Sequence, residues 1–192
     1  MESRSDVEII REVLKGNTNA FELLVHRYQE RTFGFCYRIL KDDEKATEAA
    51  HLSFIKAFEN LGKFRKEARF STWFYRIVYN ICLDQCRYDK RIVREDEDNS
   101  SESWSPSEIN AGLEYLGAED KKRYLYLAQK SLTPEEAALI HQFYYDDLSI
   151  AELAETSGMK PGNIKIRLFR ARKKMYAVLE NLLNEEVTSL IK

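Results

Sequence analysis

The sequence is poor in helix-breaking residues and in long apolar runs. Its 192 residues include only seven glycines and three prolines, and the alternating apolar pattern of β-strands is nearly absent. No apolar run approaches the roughly 20 residues of a membrane-spanning helix. The opening MESRSDVEIIREV carries too much charge for a signal peptide. We therefore expect an all-α protein of the cytoplasm.

Cysteine is also scarce, with only Cys36, Cys82 and Cys86 present. Cys82 and Cys86 are four residues apart and could share a helix face, but no Cys-x-x-Cys pair or neighbouring histidine indicates a metal. Buried thiols in a reducing compartment explain them better. The sequence also lacks a glycine-rich phosphate loop and a Ser/His/Asp arrangement, and its three histidines are scattered. We therefore expect no catalytic residue, no metal and no cofactor.

The charge is unevenly distributed along the chain. The net charge is −2, yet basic runs at 87–94 and 160–174 bracket an acidic stretch. The segment EDEDNSSESWSPS at 95–107 is acidic and rich in serine, which is typical of a flexible linker. The sequence therefore predicts a helical domain over 1–94, a flexible acidic linker over 95–117 and a second helical domain over 118–192.

Apolar residues recur at helical spacing through both predicted domains. In the first domain this spacing predicts helices over about 6–15, 19–40, 44–60 and 71–89. In the second domain a helix start is predicted at Thr133-Pro134-Glu135-Glu136. Threonine can cap the helix, proline fits the first helical position, and the side chain of Glu136 can reach back to the backbone of the cap residue.

The segment SIAELAETSGMKPGNIKIRLFRARKK, at 149–174, predicts two short helices joined by a turn. Ser149 and Glu152 have the spacing of a capping box at the start of the first helix. Gly158 supplies the backbone freedom of a tight turn. Pro161 fits the first turn of the second helix, where its missing N–H costs nothing. This pattern is typical of a helix-turn-helix.

The second of these helices is strongly two-sided. Ile164, Leu168, Ala171 and Met175 fall on one buried stripe, and residues 160–174 hold seven basic residues and no acidic one. Exposed cations and apolar side chains suit the DNA major groove, where cations neutralise phosphate and apolar groups contact thymine methyls. The candidate DNA-facing residues are Asn163, Lys165, Ile166, Phe169, Arg170 and Lys173. The alternative is a basic surface helix whose phenylalanine packs on another element.

A second candidate site lies in the first domain, where five of the eleven residues at 70–80 are aromatic. A core stripe at 74–81 leaves Trp73, Arg76 and Asn80 in one row on an adjoining face. Rings beside cations suit single-stranded nucleic acid, because bases stack on rings while cations follow the backbone. The preceding loop adds Phe64, Arg65 and Arg69. An aromatic core with a basic rim explains the same composition equally well.

Taken together, these segments resemble the extracytoplasmic-function (ECF) group of bacterial RNA polymerase sigma factors, within the sigma-70 family. The similar stretches are NAFELLVHRY at 19–28, FIKAF at 54–58, FR at 64–65, TWFYRI at 72–77 with Asn80, and GNIKIRLFRAR at 162–172. The two regions occur in the family's order and span most of the chain, which makes the resemblance specific.

The resemblance implies a protein that binds core RNA polymerase and directs it to promoter DNA, without chemistry of its own. The first domain would grip the polymerase and open the −10 element, with Phe64 and Asn80 matching the pocket for a flipped base. The second would read the −35 element through the outward residues of its last helix. An anti-sigma factor, often membrane-anchored, is a further partner that the resemblance implies.

Four departures from the family pattern concern the predicted contacts. Glu48 retains the acidic character of the polymerase-binding helix, but His51 and Leu52 replace residues that are usually glutamine and glutamate. Ile166 replaces a common serine and Asn163 a common threonine, which suggests an altered −35 preference.

Two other classes of function stay open on the residues alone. A helix-turn-helix repressor or activator would bind duplex DNA without polymerase and gives no reason for an exposed row of Trp73, Arg76 and Asn80. An enzyme would need a catalytic or metal-binding arrangement that the sequence does not contain.

Overall fold

The structure is a computed structural model that describes residues 4–65, 69–92 and 118–190. Within these ranges the protein forms eight α-helices and no β-strand, which confirms the predicted all-α fold. The predicted linker at 95–117 lies outside the described residues. We call residues 4–92 the N-terminal half and residues 118–190 the C-terminal half. No helix of the described ranges has both the length and the apolar character needed to cross a membrane.

The N-terminal half is built from four α-helices and two short 3₁₀ turns. The helices are α1 (Asp6–Leu14), α2 (Phe21–Leu40), α3 (Asp43–Glu59) and α4 (Phe70–Ile92), and the turns are Thr18–Ala20 and Leu61–Lys63. Each helix lies within a few residues of its predicted range.

Local chemistry explains where these helices begin and end. Ser5 and Glu8 form a capping box at the start of α1, and the Asp42 carboxylate accepts a hydrogen bond from the Lys45 N–H at the start of α3. These contacts satisfy N–H groups that have no partner inside the helix. Gly16, after α1, has a φ of 105°, which glycine adopts without strain.

The core of the N-terminal half is aromatic and lies between α2, α3 and α4. Phe35 and Phe74 are completely buried. Phe74 stacks against Phe70 with ring centroids 5.7 Å apart and lies 4.9 Å from the Phe54 ring. Burial of side chains of this size is the main apolar contribution to stability, and it fixes which face of α4 points outward.

The C-terminal half also contains four helices: α5 (Ala118–Lys130), α6 (Pro134–Tyr144), α7 (Ile150–Ser157) and α8 (Pro161–Leu190). Both predicted capping boxes are present, at Thr133 with Glu136 and at Ser149 with Glu152. Gly158 joins α7 to α8 with a φ of 73°. The predicted helix-turn-helix is therefore confirmed.

The core of the helix-turn-helix joins α6, α7 and the first half of α8. Leu139, Leu153 and Ile164 are completely buried there. The second half of α8 packs on α5 through Leu179, Tyr124 and Ala128. The two halves also touch, because α6 packs against α2 and α7 packs against α4.

Candidate nucleic-acid interface

The first half of α8 presents an unusual outer face. Ile164, Leu168 and Ala171 are buried, as the helical wheel predicts. Phe169 is 61% exposed and Ile166 is 52% exposed. The alternative, in which Phe169 packs on another element, is therefore wrong. Large apolar side chains exposed among cations on the second helix of a helix-turn-helix fit the major groove.

The cations of α8 divide into two groups. Three of them contact the protein itself: Arg167 lies 3.8 Å from the Glu135 carboxylate, Lys174 lies 2.9 Å from Glu136, and Arg172 donates to the Tyr144 hydroxyl at 3.2 Å. The second group consists of exposed cations that were predicted to face DNA: Lys165, Arg170 and Lys173. The predicted DNA-facing Asn163 is exposed as well. The same helix therefore has a structural basic edge and an outward-facing basic edge.

The aromatic helix α4 contributes one wall of an open groove of about 410 Å³. Trp73, Arg76 and Asn80, which the sequence places in one row, all line it. Arg76 and Asn80 are exposed and Trp73 is half-buried. This volume accommodates a nucleobase, so the groove combines a ring for stacking, a cation for phosphate and an amide for a base edge.

The opposite wall of the groove is formed by α3 and the turn after it. The sequence analysis did not predict the residues of this wall. Lys56, Asn60 and Lys63 line this side, and Asp84 of α4 also lines the groove. The Lys63 ammonium donates to the Asn60 side-chain oxygen at 2.7 Å, and the Asn60 amide donates to the Lys56 carbonyl at 2.8 Å. Lys56, Asn60 and Lys63 are four and three residues apart, a spacing that brings side chains to the same side of a helix. This spacing is the sequence pattern that could have predicted the wall.

Phe64 does not line this groove. Its side chain is only 7% exposed. Its ring packs edge-on against Phe70 at 5.8 Å and is tilted against Trp73 at 5.5 Å. In this arrangement the Phe64 ring packs against the Trp73 ring, which itself lines the groove. Arg65 and Arg69, from the same loop, are exposed.

A third surface lies on the outer side of α3. Glu48, His51 and Leu52, the predicted polymerase contacts, are all exposed on one face of this helix. Ile55, one turn further along, is 55% exposed and extends the same face, because residues i, i+3, i+4 and i+7 of a helix are neighbours. The sequence analysis did not single out Ile55.

The cysteines lie between α2 and α4 in the N-terminal core. Cys36 and Cys82 are buried and Cys86 is partly buried. Hydrogen bonding with Cys36, together with burial, raises the pKa of Cys82, so its thiol stays protonated and behaves as a small core residue. In the described part of the chain no three His, Cys, Asp or Glu side chains are grouped to hold a metal ion.

An exposed basic face on a helix-turn-helix and an aromatic groove lined by cations are features of an all-helical nucleic-acid-binding protein. Comparison with known families agrees with this class. Residues 24–92 match Sigma-70 region 2 and residues 122–175 match Sigma-70, region 4. Together these matches cover more than half of the chain.

Similar whole proteins belong to one class. The chain is 26% identical to the RNA polymerase sigma-H factor of Pseudomonas aeruginosa, over 94% of this chain and 96% of that protein. It is also 26% identical to the ECF RNA polymerase sigma factor SigW of Bacillus subtilis, over 90% of this chain and 96% of that protein.

The fold matches a solved structure of the sigma factor RpoE in complex with the anti-sigma factor NepR from Bartonella quintana. The TM-score is 0.61 at 21% identity, over 83% of this chain and 96% of that chain. The chain belongs to the sigma-70 family and to its ECF group. It is an RNA polymerase sigma factor, which binds core polymerase and promoter DNA and directs transcription initiation.

Proposed function

We propose that the two contact areas divide promoter recognition between them. The outward face of α8 reads duplex DNA at the −35 element, and the groove on α4 holds the opened strand of the −10 element. The observation that supports this most is the exposure of Phe169, 61%, beside Arg170 on a helix whose opposite stripe is buried. The corresponding units are 1–94 and 118–192, joined by 95–117.

On the duplex side, each outward residue has a distinct task. Arg170 offers paired N–H donors to a base edge or a phosphate, whereas Ile166 and Phe169 offer apolar contact to thymine methyls. Lys165 and Lys173 neutralise phosphates and set the orientation of the helix. Asn163, near the start of α8, lies where a recognition helix first meets the groove.

The groove on α4 has the side chains needed to bind a base that is extruded from the duplex. Trp73 supplies a ring face, and Asn80 and Asn60 supply amides for a base edge. Arg76, Lys56 and Lys63 line the same groove and neutralise the adjoining phosphates. The Asp84 carboxylate can only accept hydrogen bonds when ionised, so it favours a base that carries an exocyclic amino group.

The loop before α4 and the outer face of α3 complete the assignment. Arg65 and Arg69 are exposed at the entrance to α4 and we assign them to the backbone of the opened strand. Glu48, His51 and Leu52 form the polymerase-binding face, with Ile55 as its apolar extension. Phe64 acts through Trp73, whose ring it supports.

Chemistry, location and regulation follow from the family. We infer that the chain is not an enzyme and acts in the cytoplasm, where polymerase and promoter are. We further infer that an anti-sigma factor regulates it, because the solved structure with a similar fold is a sigma factor in complex with such a protein.

The test is reconstituted transcription. The purified chain is added to core RNA polymerase with genomic DNA fragments, and transcript start sites are mapped. We expect discrete start sites that disappear when the chain is omitted. Start sites that do not depend on the chain would contradict the proposal.

A matched pair of variants tests the outward face of α8. Arg170→Ala removes an outward cation of α8, whereas Lys121→Ala removes an equal charge from α5. If Arg170 contacts a base edge, its loss costs roughly 1–3 kcal/mol at one base position. An equal loss across all sequences would make it a phosphate contact instead.

A further inference from the structure

All three cysteines of the chain lie together, although they come from two different helices. Cys36 belongs to α2, and Cys82 and Cys86 lie on successive turns of α4. Cys36 and Cys82 are completely buried in the core cluster of the N-terminal half, and Cys86 packs against the same cluster. The fold therefore gathers every thiol of the chain at one place between α2 and α4.

The two buried thiols are in direct contact. The Cys36 and Cys82 thiols are hydrogen-bonded to each other, and Cys86 interacts electrostatically with Cys82. Thiols in hydrogen-bond contact have their sulfur atoms side by side, which is the arrangement that thiol–disulfide chemistry requires. Cys82 is the middle member of the cluster, because it contacts Cys36 across the helix pair and lies one turn from Cys86 along its own helix.

Cys86 is the member of the cluster that solvent reaches. It is partly exposed, whereas Cys36 and Cys82 are buried. The Lys41 ammonium interacts electrostatically with Cys86 and is held in place by the Lys130 carbonyl, to which it donates at 2.7 Å. Reactive cysteines are partly exposed thiols beside a cation, because the cation stabilises the thiolate that attacks an oxidant. Cys86 has both properties.

Neither metal binding nor packing explains the whole cluster. Within the described ranges no group of His, Cys, Asp or Glu side chains could hold a metal ion, and these thiols are included in that statement. Packing explains Cys36 and Cys82, which behave as small core residues, but gives no reason for a third thiol at a partly exposed position beside them. An accessible thiol next to a second cysteine is the arrangement of redox-sensing sites.

We propose that Cys86 is a site of oxidation by hydroperoxides and that Cys36 and Cys82 then form a reversible disulfide between α2 and α4. The oxidant is hydrogen peroxide or a small organic hydroperoxide, whose O–O bond a thiolate cleaves. Cytosolic disulfides are usually transient, and catalytic or redox-sensing. In the absence of oxidant the pair therefore stays as two core thiols.

The reaction balances in three steps. The Cys86 thiolate attacks the terminal oxygen of the hydroperoxide, so that an S–O bond forms, the O–O bond breaks and the leaving alkoxide takes up a proton. The Cys82 sulfur then attacks the sulfenic sulfur of Cys86, and the hydroxyl leaves as water with the Cys82 proton. Finally the Cys36 sulfur attacks Cys82, and its proton passes to Cys86. Two thiols thereby lose two electrons to one hydroperoxide, which is reduced to an alcohol or water.

The geometry explains why the last step proceeds. Side chains four residues apart on a helix have their Cβ atoms about 5–6 Å apart, whereas a disulfide needs about 3.5–4.5 Å. A Cys82–Cys86 disulfide is therefore strained and readily passes to Cys36. The Cys36–Cys82 disulfide joins two helices that already touch, and it closes a loop of about 46 residues, which restricts the unfolded chain.

The disulfide acts on the groove of α4. Asn80 lies two residues before Cys82 and Asp84 two residues after it, and both line the groove. A disulfide draws its sulfurs to about 2.05 Å, closer than two thiols in contact, so α4 must shift against α2. Close-packed cores transmit such shifts, and we expect the oxidised chain to bind single-stranded DNA less tightly. This regulatory role rests on the proposed function, whereas the oxidation itself does not.

The first experiment maps the disulfide. The reduced full chain is treated with hydrogen peroxide, digested without reductant by trypsin and endoproteinase Asp-N, and analysed by mass spectrometry. Cleavage before Asp84 separates Cys82 from Cys86, and cleavage at arginine separates Cys36 from both. We expect a Cys36–Cys82 cross-linked peptide with a free Cys86, and loss of the cross-link after dithiothreitol. Disulfides only between two chains, or oxidation confined to the Cys86 sulfinic acid, would overturn the proposal.

The second experiment tests how the oxidant enters. Cys86→Ser leaves the buried pair in place and should slow formation of the cross-link roughly tenfold or more. Lys41→Gln should slow it several-fold, because the cation beside Cys86 is lost. The matched control is Lys15→Gln, which removes an exposed lysine after α1 and should react as the wild type does. A wild-type rate in Cys86→Ser would overturn the role of Cys86.

The third experiment asks whether the disulfide regulates. Binding of a fluorescein-labelled, mixed-sequence single-stranded DNA is measured before and after peroxide. We expect the affinity of the wild type to fall roughly threefold or more and to recover with dithiothreitol, whereas Cys82→Ala should not respond. Far-UV circular dichroism checks that Cys82→Ala keeps its helix content; if it does not, Cys36→Ala replaces it as the control.

The outcomes distinguish the oxidation site from the function. A mapped Cys36–Cys82 disulfide with unchanged DNA affinity would overturn regulation and leave the site in place. A reduced chain that forms the disulfide but gives no chain-dependent start sites would overturn the proposed function alone.

Discussion

The imidazole Nε2 of His141 lies 3.6 Å from Asp146 Oδ2, with both side chains 5% exposed. Burial, assisted by the nearby Arg38 charge, lowers the pKa of His141 to about 3. Burial raises the pKa of Asp146 to about 6, against the opposing effects of Tyr75, Arg31 and Arg38 and with a further rise from Asp147. At neutral pH the imidazole is uncharged, so this contact is not an ion pair.

The two groups respond to acid in opposite directions. When the halves separate, His141 returns towards its usual pKa of 6.5 and Asp146 towards 3.8. Below pH 6.5 a proton on His141 favours the separated state, whereas below about pH 6 a proton on Asp146 favours the docked state. The two effects largely cancel, so the docking of the wild-type chain should change little between about pH 7 and pH 4.5.

Asp146→Asn should remove this compensation. With only His141 titrating, docking should weaken progressively as the pH falls from 6.5 towards 4. The radius of gyration measured against pH reports the change, and His141→Gln is the control that should not expand on acidification. An Asp146→Asn profile identical to that of the wild type would show that these groups do not titrate with docking.

Phe64 and Asn80 should behave differently when each is replaced by alanine. Phe64 is 7% exposed, so Phe64→Ala should lower the free energy of unfolding by about 3–5 kcal/mol. Asn80 is exposed, and Asn80→Ala should change stability by less than about 0.5 kcal/mol while impairing promoter opening. Urea unfolding and a fluorescent base in the −10 element measure the two effects. Normal opening by Asn80→Ala would remove Asn80 from the base pocket.

Neighbouring residues of α8 provide a second contrast. Leu168 is 4% exposed and Phe169 is 61% exposed. Leu168→Ala should destabilise the C-terminal half by about 2–5 kcal/mol. Phe169→Ala should leave thermal unfolding nearly unchanged and weaken binding to −35 duplex DNA. If Phe169→Ala bound the duplex as the wild type does, the outward face of α8 would not be the reading surface.

The lysines in the second wall of the groove should contribute to the salt dependence of single-stranded DNA binding. Lys56→Ala with Lys63→Ala removes two cations that line it. The slope of log affinity against log salt for single-stranded DNA should become shallower by about 1.4, or about 0.7 for each lost phosphate contact. Lys121→Ala with Lys122→Ala is the charge-matched control on α5. A slope no different from that of the control would exclude phosphate contacts from this wall.

Much of the local structure could be predicted because short-range chemistry determines it. The caps at Ser149 and Thr133 and the turn at Gly158 depend on residues at most three positions apart, so the pattern alone reveals them. The outward direction of Phe169 follows from helical periodicity and its buried neighbours. The row of Trp73, Arg76 and Asn80 follows in the same way from the stripe that α4 buries.

The features that were missed depend on contacts between distant residues. Phe64 lies in a loop without periodicity, and its burial follows from the positions of Phe70 and Trp73 after folding. Lys56 and Lys63 join the groove only because α3 ends beside α4. In the sequence His141 is only one of three scattered histidines, because its neighbours Phe35 and Arg38 lie in the other half of the chain.

The helix α8 runs without interruption from Pro161 to Leu190, 30 residues or about 45 Å. Its first half carries Phe169, and its second half is clamped against α5 through Leu179. Because both segments belong to one continuous helix, a displacement of α5 by a bound protein would be transmitted to the segment that carries Phe169. A protein that displaced the end of this helix would therefore also change the position of Phe169, several turns of helix away.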